Sequence, residues 1–552
     1  MGNGKKSKNN FIIQGGILAI ASLLSRVIGL LYRIPLTNII GDEGNGIYAS
    51  AYNVYNIILL LSSYSLPLAV SKLVSVRIGK REQKNAQRIY QGAMLFAFVV
   101  GLIAALVTFF GAGYLTDNLL KSPMSMLSLQ ILAPAVFLVA VMGVMRGYFQ
   151  GVGSTVPTAV SQILEQIFNA VISIVAAYFL YAHGEKVAAL LRQPSYAAAY
   201  GAAGGTLGTS AGALIGLLFL LFVMQIYKPT MRRQRHRDKT RKVESWGSVY
   251  SALFLTIVPV LLSTTIYNIS SIVDQGVFNH IMAFQGYTTK AYNSLYGIYS
   301  MKYKVLSNVP IALASAMAAS SVPSVSAAFA AGNAPLVRAK IYSAIRVTMV
   351  LSIPCAVGIG ILASPILTML LHDSTPLAAN LLRIGSISIV FYSLSTLTNG
   401  ILQGINRMRA PVIHAAIALV LHVAAFVIMI LGFQWNIYAM VYADVFFAII
   451  MCILNNFSIR KHIGYRQELV KTFLVPLISA AAMGIVVWGS YQGIHIASGN
   501  NTIGTLVSIC LGILVYFIVF LVLKGMDREE LEEMPLGRTL ARIAIKLHLM
   551  RP

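Results

Sequence analysis

Gly147-Tyr148-Phe149-Gln150-Gly151, followed closely by Pro157, returns in the same chain as Gly400-Ile401-Leu402-Gln403-Gly404, followed closely by Pro411. The two copies lie 253 residues apart. Pro67 and Pro323 are separated by 256 residues, and Ile89-Tyr90 and Ile341-Tyr342 by 252. Three matches near one spacing mark an internal duplication. The interval holds six apolar stretches, an even number, so the halves share one orientation. Such a parallel repeat is related by an axis along the membrane normal, and two lobes of this kind leave a central cavity for alternating access.

The apolar stretches follow from composition. Of 552 residues, 57% are hydrophobic and 11% charged, with mean hydropathy +0.74. A soluble chain carries roughly 25% charged residues, so the solvent here is lipid. A bilayer core takes about 20 apolar residues per helix. That ruler places helices near 11–40, 47–71, 89–112, 126–150, 156–181, 198–226, 248–278, 296–329, 341–371, 378–404, 410–432, 436–459, 470–491 and 502–524. The expected fold is an all-α integral membrane protein of about 14 transmembrane helices. Residues 1–246 form a first lobe with a basic loop at 227–246, 247–465 form a second lobe, and 466–552 add two helices and an amphipathic tail, Leu536 to Met550.

The net charge of +25 follows the same topology. With both termini cytoplasmic, 32 of the 42 Lys and Arg fall in inside segments or at the helix ends bordering them, and only Lys121, Lys186, Arg192 and Lys290 outside, as the positive-inside rule requires. No basic stretch is attached to a soluble domain, so nucleic acid is not an expected partner. Trp246, Trp435 and Trp488 fall near predicted surfaces as an aromatic belt. Cys355, Cys452 and Cys510 are far apart within apolar runs. They read as small buried hydrophobes, with no metal spacing. The basic start Met1-Gly2-Asn3-Gly4-Lys5-Lys6 leads into an apolar run too long for a signal peptide, read as a retained helix. Gly4-Lys5-Lys6-Ser7 imitates the end of a phosphate-binding loop but lacks its strand and upstream glycine.

Ionisable groups inside lipid are costly and by default face a cavity. The bases within predicted helices are Arg26, Arg33, Lys302, Lys304, Arg346 and Arg383, and the acids are Glu165, Asp274 and Asp444. Arg26 and Arg33 are seven residues apart, almost two turns, and project from one helix face. Arg26 either lines the cavity or pairs with Glu165 or Asp274. Arg33, two residues before Pro35, either lines it or anchors the outer interface. Lys302 and Lys304 face nearly opposite ways on a regular helix. Lys304 shares a polar stripe with Ser300 and Asn308 and is the better cavity candidate, with Lys302 nearer the outer surface. Arg346 is expected to snorkel inward and Arg383 outward. Tyr48, Tyr52 and Tyr55 form one aromatic face with Asn53 and Asn56 nearby, which is either core or a wall for sugar rings. Asp274, in a stripe with Tyr267 and Ser271, either binds a coupling cation or pairs with Arg26. Glycines 201, 204, 205, 208, 212 and 216 read as close helix packing. Fixed cations favour an anion, and guanidinium suits a diphosphate because it pairs phosphate oxygens bidentately.

Ser25-Arg26-Val27-Ile28-Gly29-Leu30-Leu31-Tyr32-Arg33-Ile34-Pro35-Leu36, then Gly41-Asp42-Glu43-Gly44-Asn45-Gly46-Ile47-Tyr48, resembles the N-terminus of the multidrug/oligosaccharidyl-lipid/polysaccharide exporter superfamily. The branch most similar is that of the MurJ-type lipid II flippases and stage V sporulation protein B. Leu66-Pro67-Leu68-Ala69-Val70-Ser71-Lys72, Arg146-Gly147-Tyr148-Phe149-Gln150-Gly151, Glu165-Gln166 and Lys302-Tyr303-Lys304-Val305-Leu306-Ser307 extend the resemblance over most of the chain. It implies two six-helix lobes, two extra helices forming a lipid-facing groove, and outward flipping of an undecaprenyl-diphosphate-linked precursor whose diphosphate sits in a cationic cavity. Arg26 matches the first essential arginine of that family. The second falls on Tyr32, one step before Arg33, and the arginine of the eighth helix falls about one residue from Lys304. The basic pair in the second helix of Gram-negative members is absent.

The expected activity is therefore flipping of a lipid-linked saccharide, lipid II of the vegetative wall or spore cortex first and another envelope polysaccharide intermediate second. No enzyme, cofactor or metal is expected. Reset is expected to draw on Na+ or H+ or on the membrane potential. The expected setting is a bacterial plasma membrane, as a monomer with membrane lipids and transient cell-wall synthesis proteins as partners. A drug exporter of the same superfamily wants an acidic cavity. A membrane glycosyltransferase wants a carboxylate pair, and no Asp-x-Asp occurs. A scaffold has no use for buried charge.

Overall fold

Prolines and glycines decide where the helices bend and where they touch. The computed structural model describes residues 17–18, 20–240 and 243–526; the basic start Met1 to Lys6 and the tail Leu536 to Met550 lie outside them. The described residues are helical, without strands. In order they form α1 (Ile20–Leu31), α2 (Arg33–Leu59), α3 (Leu66–Gly79), α4 (Gln83–Tyr114), α5 (Met126–Gly151), α6 (Val156–Leu191), α7 (Ser195–Arg237), α8 (Trp246–Asn268), α9 (Ser270–Phe284) and α10 (Thr289–Gly297). A π-helical turn, Ile298–Tyr303, leads into α11 (Lys304–Ala330). There follow α12 (Ala334–Ile361), α13 (Ala363–Leu371), α14 (Pro376–Gly385), α15 (Ser388–Gly404), α16 (Arg409–Gly432), α17 (Tyr438–Ile463), α18 (Val475–Ser498) and α19 (Asn501–Val522).

Among the described residues, ten helices are long and apolar enough to cross a membrane, or eleven if α14 and α15, bent by 40°, count as one span. This is a multi-pass membrane protein. Several other expected spans coincide with interrupted helix. Pro35 has no N–H to give Leu31, and the helix breaks at Tyr32 between α1 and α2. Gly41, at φ 67°, ψ 179°, breaks α2 where the first two predicted spans meet. Such a backbone favours glycine.

The chain divides into two compact units, residues 1–297 and 298–552. The expected seam at 246 and this one differ by the segment carrying α8, α9 and α10. In the first unit α8 packs on α3 and α4, and α10 lies along α2. At the α2–α10 crossing a Cβ on Gly46 would strike the Asn293 backbone, and one on Gly297 would strike Asp42. Bare backbone there lets the helices approach.

The duplicated motif performs the same task in each unit. In the first, Gly147 and Gly151 of α5 seat α3: a Cβ at 147 would lie 2.6 Å from the Pro67 carbonyl oxygen, and one at 151 would lie 2.8 Å from Val74 Cβ. In the second, Gly400 and Gly404 of α15 meet Val322 and Ser326 of α11, beside Pro323. The glycine stripe of α7 packs as expected. Gly204, Gly208 and Gly212 lie against Ala176, Ser173 and Glu165 of α6. Small residues are how membrane helices gain dispersion contact where lipid offers no hydrophobic drive.

In the second unit α18 and α19 pack on α12 and α13. Met483, Val487, Tyr516 and Phe520 share a core with Ile345, Met349 and Ile353. The Tyr516 hydroxyl donates to the Val350 carbonyl at 2.7 Å, and the Asn501 amide to that of Pro365 at 3.0 Å. Arg346 corrects an expectation. It is buried rather than snorkelling, because its guanidinium is held by the Tyr342 hydroxyl (2.8 Å) and the Gly525 carbonyl just past α19. Of the cysteines, Cys452 is buried, Cys355 half-buried and Cys510 exposed, the last against expectation because it lies on the outward side of α19.

Gly147→Leu forces a side chain into the Pro67 backbone. It should lower the thermal unfolding midpoint in detergent by an amount equivalent to about 1–3 kcal/mol. Gly247→Ala, whose added carbon meets nothing within 4 Å, should leave the midpoint unchanged.

Candidate functional site

The predicted charges separate by unit and by what compensates them. In the first unit, α1 packs on α6 through Ser22, 3.4 Å from Gln162, and through Gly29 beside Gln166. Arg26 is exposed, and among the described residues no carboxylate pairs with it. The expected partner Glu165 is taken: its Oε2 accepts from Arg146 Nη2 at 2.8 Å, while Arg146 Nε donates to Ser161 at 2.9 Å. Asp274 is buried on α9 and engaged by a neighbour.

Arg33 lies beyond the break at Tyr32, in surroundings unlike those of Arg26. Its charge sits among Tyr32, Tyr48 and Tyr52, and its Nε is buried without a hydrogen-bond partner. The Tyr32 and Tyr48 hydroxyls are 3.1 Å apart. Tyr48, Tyr52 and Tyr55 make the expected ladder, with ring centroids 4.5 and 5.7 Å apart. Tyr48 and Tyr55 are buried, and Tyr52 hydrogen-bonds Thr209 of α7. Of the two readings, core packing describes this ladder, because the rings are spent against α7 rather than opened as a wall. Asn53 likewise donates inward, to Gln275 at 2.6 Å and Tyr296 at 2.7 Å.

In the second unit both lysines carry aspartates. Lys302 is buried and its Nζ lies 2.6 Å from Asp373 in the α13–α14 loop, with both side chains 7% exposed. The Thr375 N–H also donates to Asp373, at 2.7 Å. Burial alone would raise this carboxyl; the Lys302 and Thr375 hydrogen bonds and the Lys302 charge outweigh it and hold it below the usual carboxylate range. Lys302 is thus buried and paired in this structure, where the sequence offered it as a cation for the anion site.

Lys304 is placed differently. Its Nζ lies 2.6 Å from Asp444 Oδ2 on α17, yet its side chain is 29% exposed against 5% for the aspartate. The rings of Tyr299, Tyr303 and Tyr392 surround the ammonium at 5.3–5.9 Å. The stripe read from the sequence survives: Ser300, Lys304 and Asn308 stay partly open while Met301 to Tyr303 and Val305 to Ser307 are buried. Asp444, Tyr299 and Tyr392 were missed as site residues. The available signal was a lone acid on an apolar helix, with nothing in the sequence to say which base it meets.

A groove of about 800 Å³ runs along the second unit between α12, α14–α15 and α18. Ile353, Val357, Ile387, Phe391, Leu477 and Trp488 make it apolar, and Arg383 lies at its edge. Arg383 is exposed, 3.3 Å from Asn380. No cluster of metal-ligating side chains occurs among the described residues.

Comparison with known proteins places the chain among exporters of the multidrug/oligosaccharidyl-lipid/polysaccharide superfamily, of the MurJ-like kind. The chain belongs to the polysaccharide biosynthesis protein family, whose profile matches residues 13–329. The MatE profile matches 297–428. Lipid II flippase MurJ of Bacillus subtilis (strain 168) is 26% identical over 485 residues, covering 85% of this chain and 86% of that protein. Stage V sporulation protein B of the same organism is 23% identical over 544 residues, covering 97% of this chain and 100% of that protein. Among solved structures, MurJ in an inward closed conformation aligns with TM-score 0.65 at 16% identity, covering 91% of this chain and 97% of that one. An inward-facing multidrug resistance MATE transporter aligns with TM-score 0.66 at 16% identity, covering 80% and 94%. The chain is a transporter, not an enzyme.

Asp373→Asn strands the buried Lys302 charge and should destabilise the protein by about 3 kcal/mol, whereas Lys302→Met with Asp373→Leu should recover most of the loss. Because the folded carboxyl is depressed, its contribution is complete above about pH 4 and is lost as pH falls through the folded value. Thermal midpoints from pH 7 to pH 3 should show wild type losing its advantage over Asp373→Asn only at the acid end.

Proposed function

We propose that this protein flips an undecaprenyl-diphosphate-linked saccharide from the cytoplasmic to the outer leaflet by alternating access, with lipid II, vegetative or spore-cortex, as the foremost substrate. The carrying observation is Arg26, an exposed guanidinium on an apolar helix that no described carboxylate neutralises. An uncompensated cation at such a depth is costly unless an anion meets it. Arg33, beside Tyr32 and Tyr48, adds a second guanidinium in the same unit, and Lys304 supplies a partly open ammonium in the other unit. The apolar groove suits a polyprenyl chain, with Arg383 at its edge for a phosphate. The two Bacillus relatives bear names that fit a flippase and a sporulation protein.

Outward transfer of an anion gains about 2.3 kcal/mol per charge per 100 mV from an inside-negative potential. The reading carries with it a bacterial plasma membrane, about fourteen spans and cytoplasmic termini. A second reading, a cation-coupled drug exporter, draws on the MatE match over 297–428. The exposed Arg26 repels such a cargo.

The test is complementation in cells depleted of their lipid II flippase, with labelled precursor followed across the membrane. Arg26→Ala should insert normally and lose flipping by about ten- to a hundredfold, the worth of one charged hydrogen-bond donor. Lys304→Glu should be worse than Lys304→Ala. Wild-type flipping by Arg26→Ala, or no complementation by the wild-type chain, would end the proposal.

A further inference from the structure

Resting on the lipid-diphosphate reading, we infer that Asp444 is a resident counter-ion that the substrate's phosphate displaces from Lys304, and that the freed carboxylate then takes up one proton. Anion binding in the second unit is thereby coupled to protonation.

The pair is asymmetric in a way its neighbour is not. Lys302 and Asp373 are equally buried. Lys304 is 29% exposed while Asp444 is 5%. An arriving anion therefore meets the ammonium and not the carboxylate. An ammonium has three donors. Among the described residues Asp444 is its one charged partner, and the remaining contacts are ring faces, which stabilise a cation without occupying a hydrogen bond. Lys304 can pivot to a phosphate oxygen at the loss of one bond.

Asp444 then keeps two phenolic donors, Tyr299 at 2.6 Å and Tyr392 at 3.3 Å, but no cation. Among the described residues, the titratable groups with contacts to Asp444 or to the backbone beside it come from the π-turn, α11, α15 and α16; His414 of α16 meets Asn455 instead. The π-turn and α11 present Tyr299, Tyr303 and Lys304. From α15 comes Tyr392, and from α16 His422, whose Nδ1 lies 2.8 Å from the Ala443 carbonyl. Arg383 on α14 is exposed, and Arg346 on α12 is held by Tyr342 and Gly525. A buried carboxylate without a cation, facing a second anion, is driven to its neutral form. The proton comes from water: Asp444 passes from –CO₂⁻ to –CO₂H, Lys304 keeps its three protons, and departure of the anion reverses both changes. Nothing is oxidised or reduced.

The test uses the full chain in detergent micelles with farnesyl-diphospho-N-acetylglucosamine, a diphosphate diester that does not itself titrate near neutrality. Calorimetry in two buffers of different ionisation enthalpy counts protons taken up on binding. Wild type should take up about one proton per ligand, with affinity falling up to about tenfold per pH unit as pH rises. Asp444→Asn should bind about tenfold tighter at pH 8, without proton uptake and with a flat pH profile, and Asp444→Glu should restore both. Binding by wild type without proton uptake, or an unchanged pH profile in Asp444→Asn, would overturn the inference alone. No binding of the probe by the folded wild-type chain would overturn the substrate reading and this inference with it. If Asp444→Asn fails to fold, the wild-type proton count and Asp444→Glu still decide.

Discussion

A charge held within lipid must be neutralised by a partner or used, and this constraint sorts every intramembrane base in the chain. Lys302 is neutralised by Asp373. Arg146 is neutralised by Glu165. Arg346 is buried and held by a tyrosine hydroxyl and a backbone carbonyl. What remains is Arg26, exposed and unpaired among the described residues, Arg33 among Tyr32, Tyr48 and Tyr52, Arg383, exposed and 3.3 Å from Asn380, and Lys304 in a pair that is open on one side. The cationic character is therefore uneven. The first unit holds guanidinium alone, and the second holds an exposed guanidinium together with an ammonium already matched to an aspartate.

That asymmetry sits on a scaffold built twice. The Gly-x-x-x-Gly helices α5 and α15 seat the proline-bearing helices α3 and α11 by the same close approach. The polar contacts beside them have diverged. In the first unit, Arg146 binds Ser161 and Glu165. In the second, Asn399, Asn455 and His414 form a hydrogen-bonded network of amides and an imidazole, with contacts of 2.8 Å. Duplication preserved what backbone approach demands and released the charges to differ. The last two helices, α18 and α19, extend only the second unit, where α18 completes the apolar groove against α12 and α19 packs behind it.

Broken helices place the charges. The π-turn at Ile298–Tyr303 lies just before Lys304, and Tyr32, where Pro35 removes one helical hydrogen bond, just before Arg33. Departures from regular helix at such depth persist where neighbours re-satisfy the backbone or where it lines a cavity. In both units the cation lies beside a tyrosine cluster, whose ring faces and hydroxyls make it tolerable in low dielectric.

Composition, hydropathy and the repeat spacing were enough to specify a helical membrane protein with a duplicated core, because burial in lipid and small-residue packing are properties of local sequence. The polar stripe of Ser300, Lys304 and Asn308 was legible for the same reason, since helical periodicity alone defines a face. Partner choice was not. Glu165 went to Arg146 instead of Arg26, Asp373 reached Lys302 from a loop 71 positions away, and Asp444 reached Lys304 across 140. Ion pairing depends on distances of a few ångströms between helices remote in sequence, and only their packing against one another determines those distances.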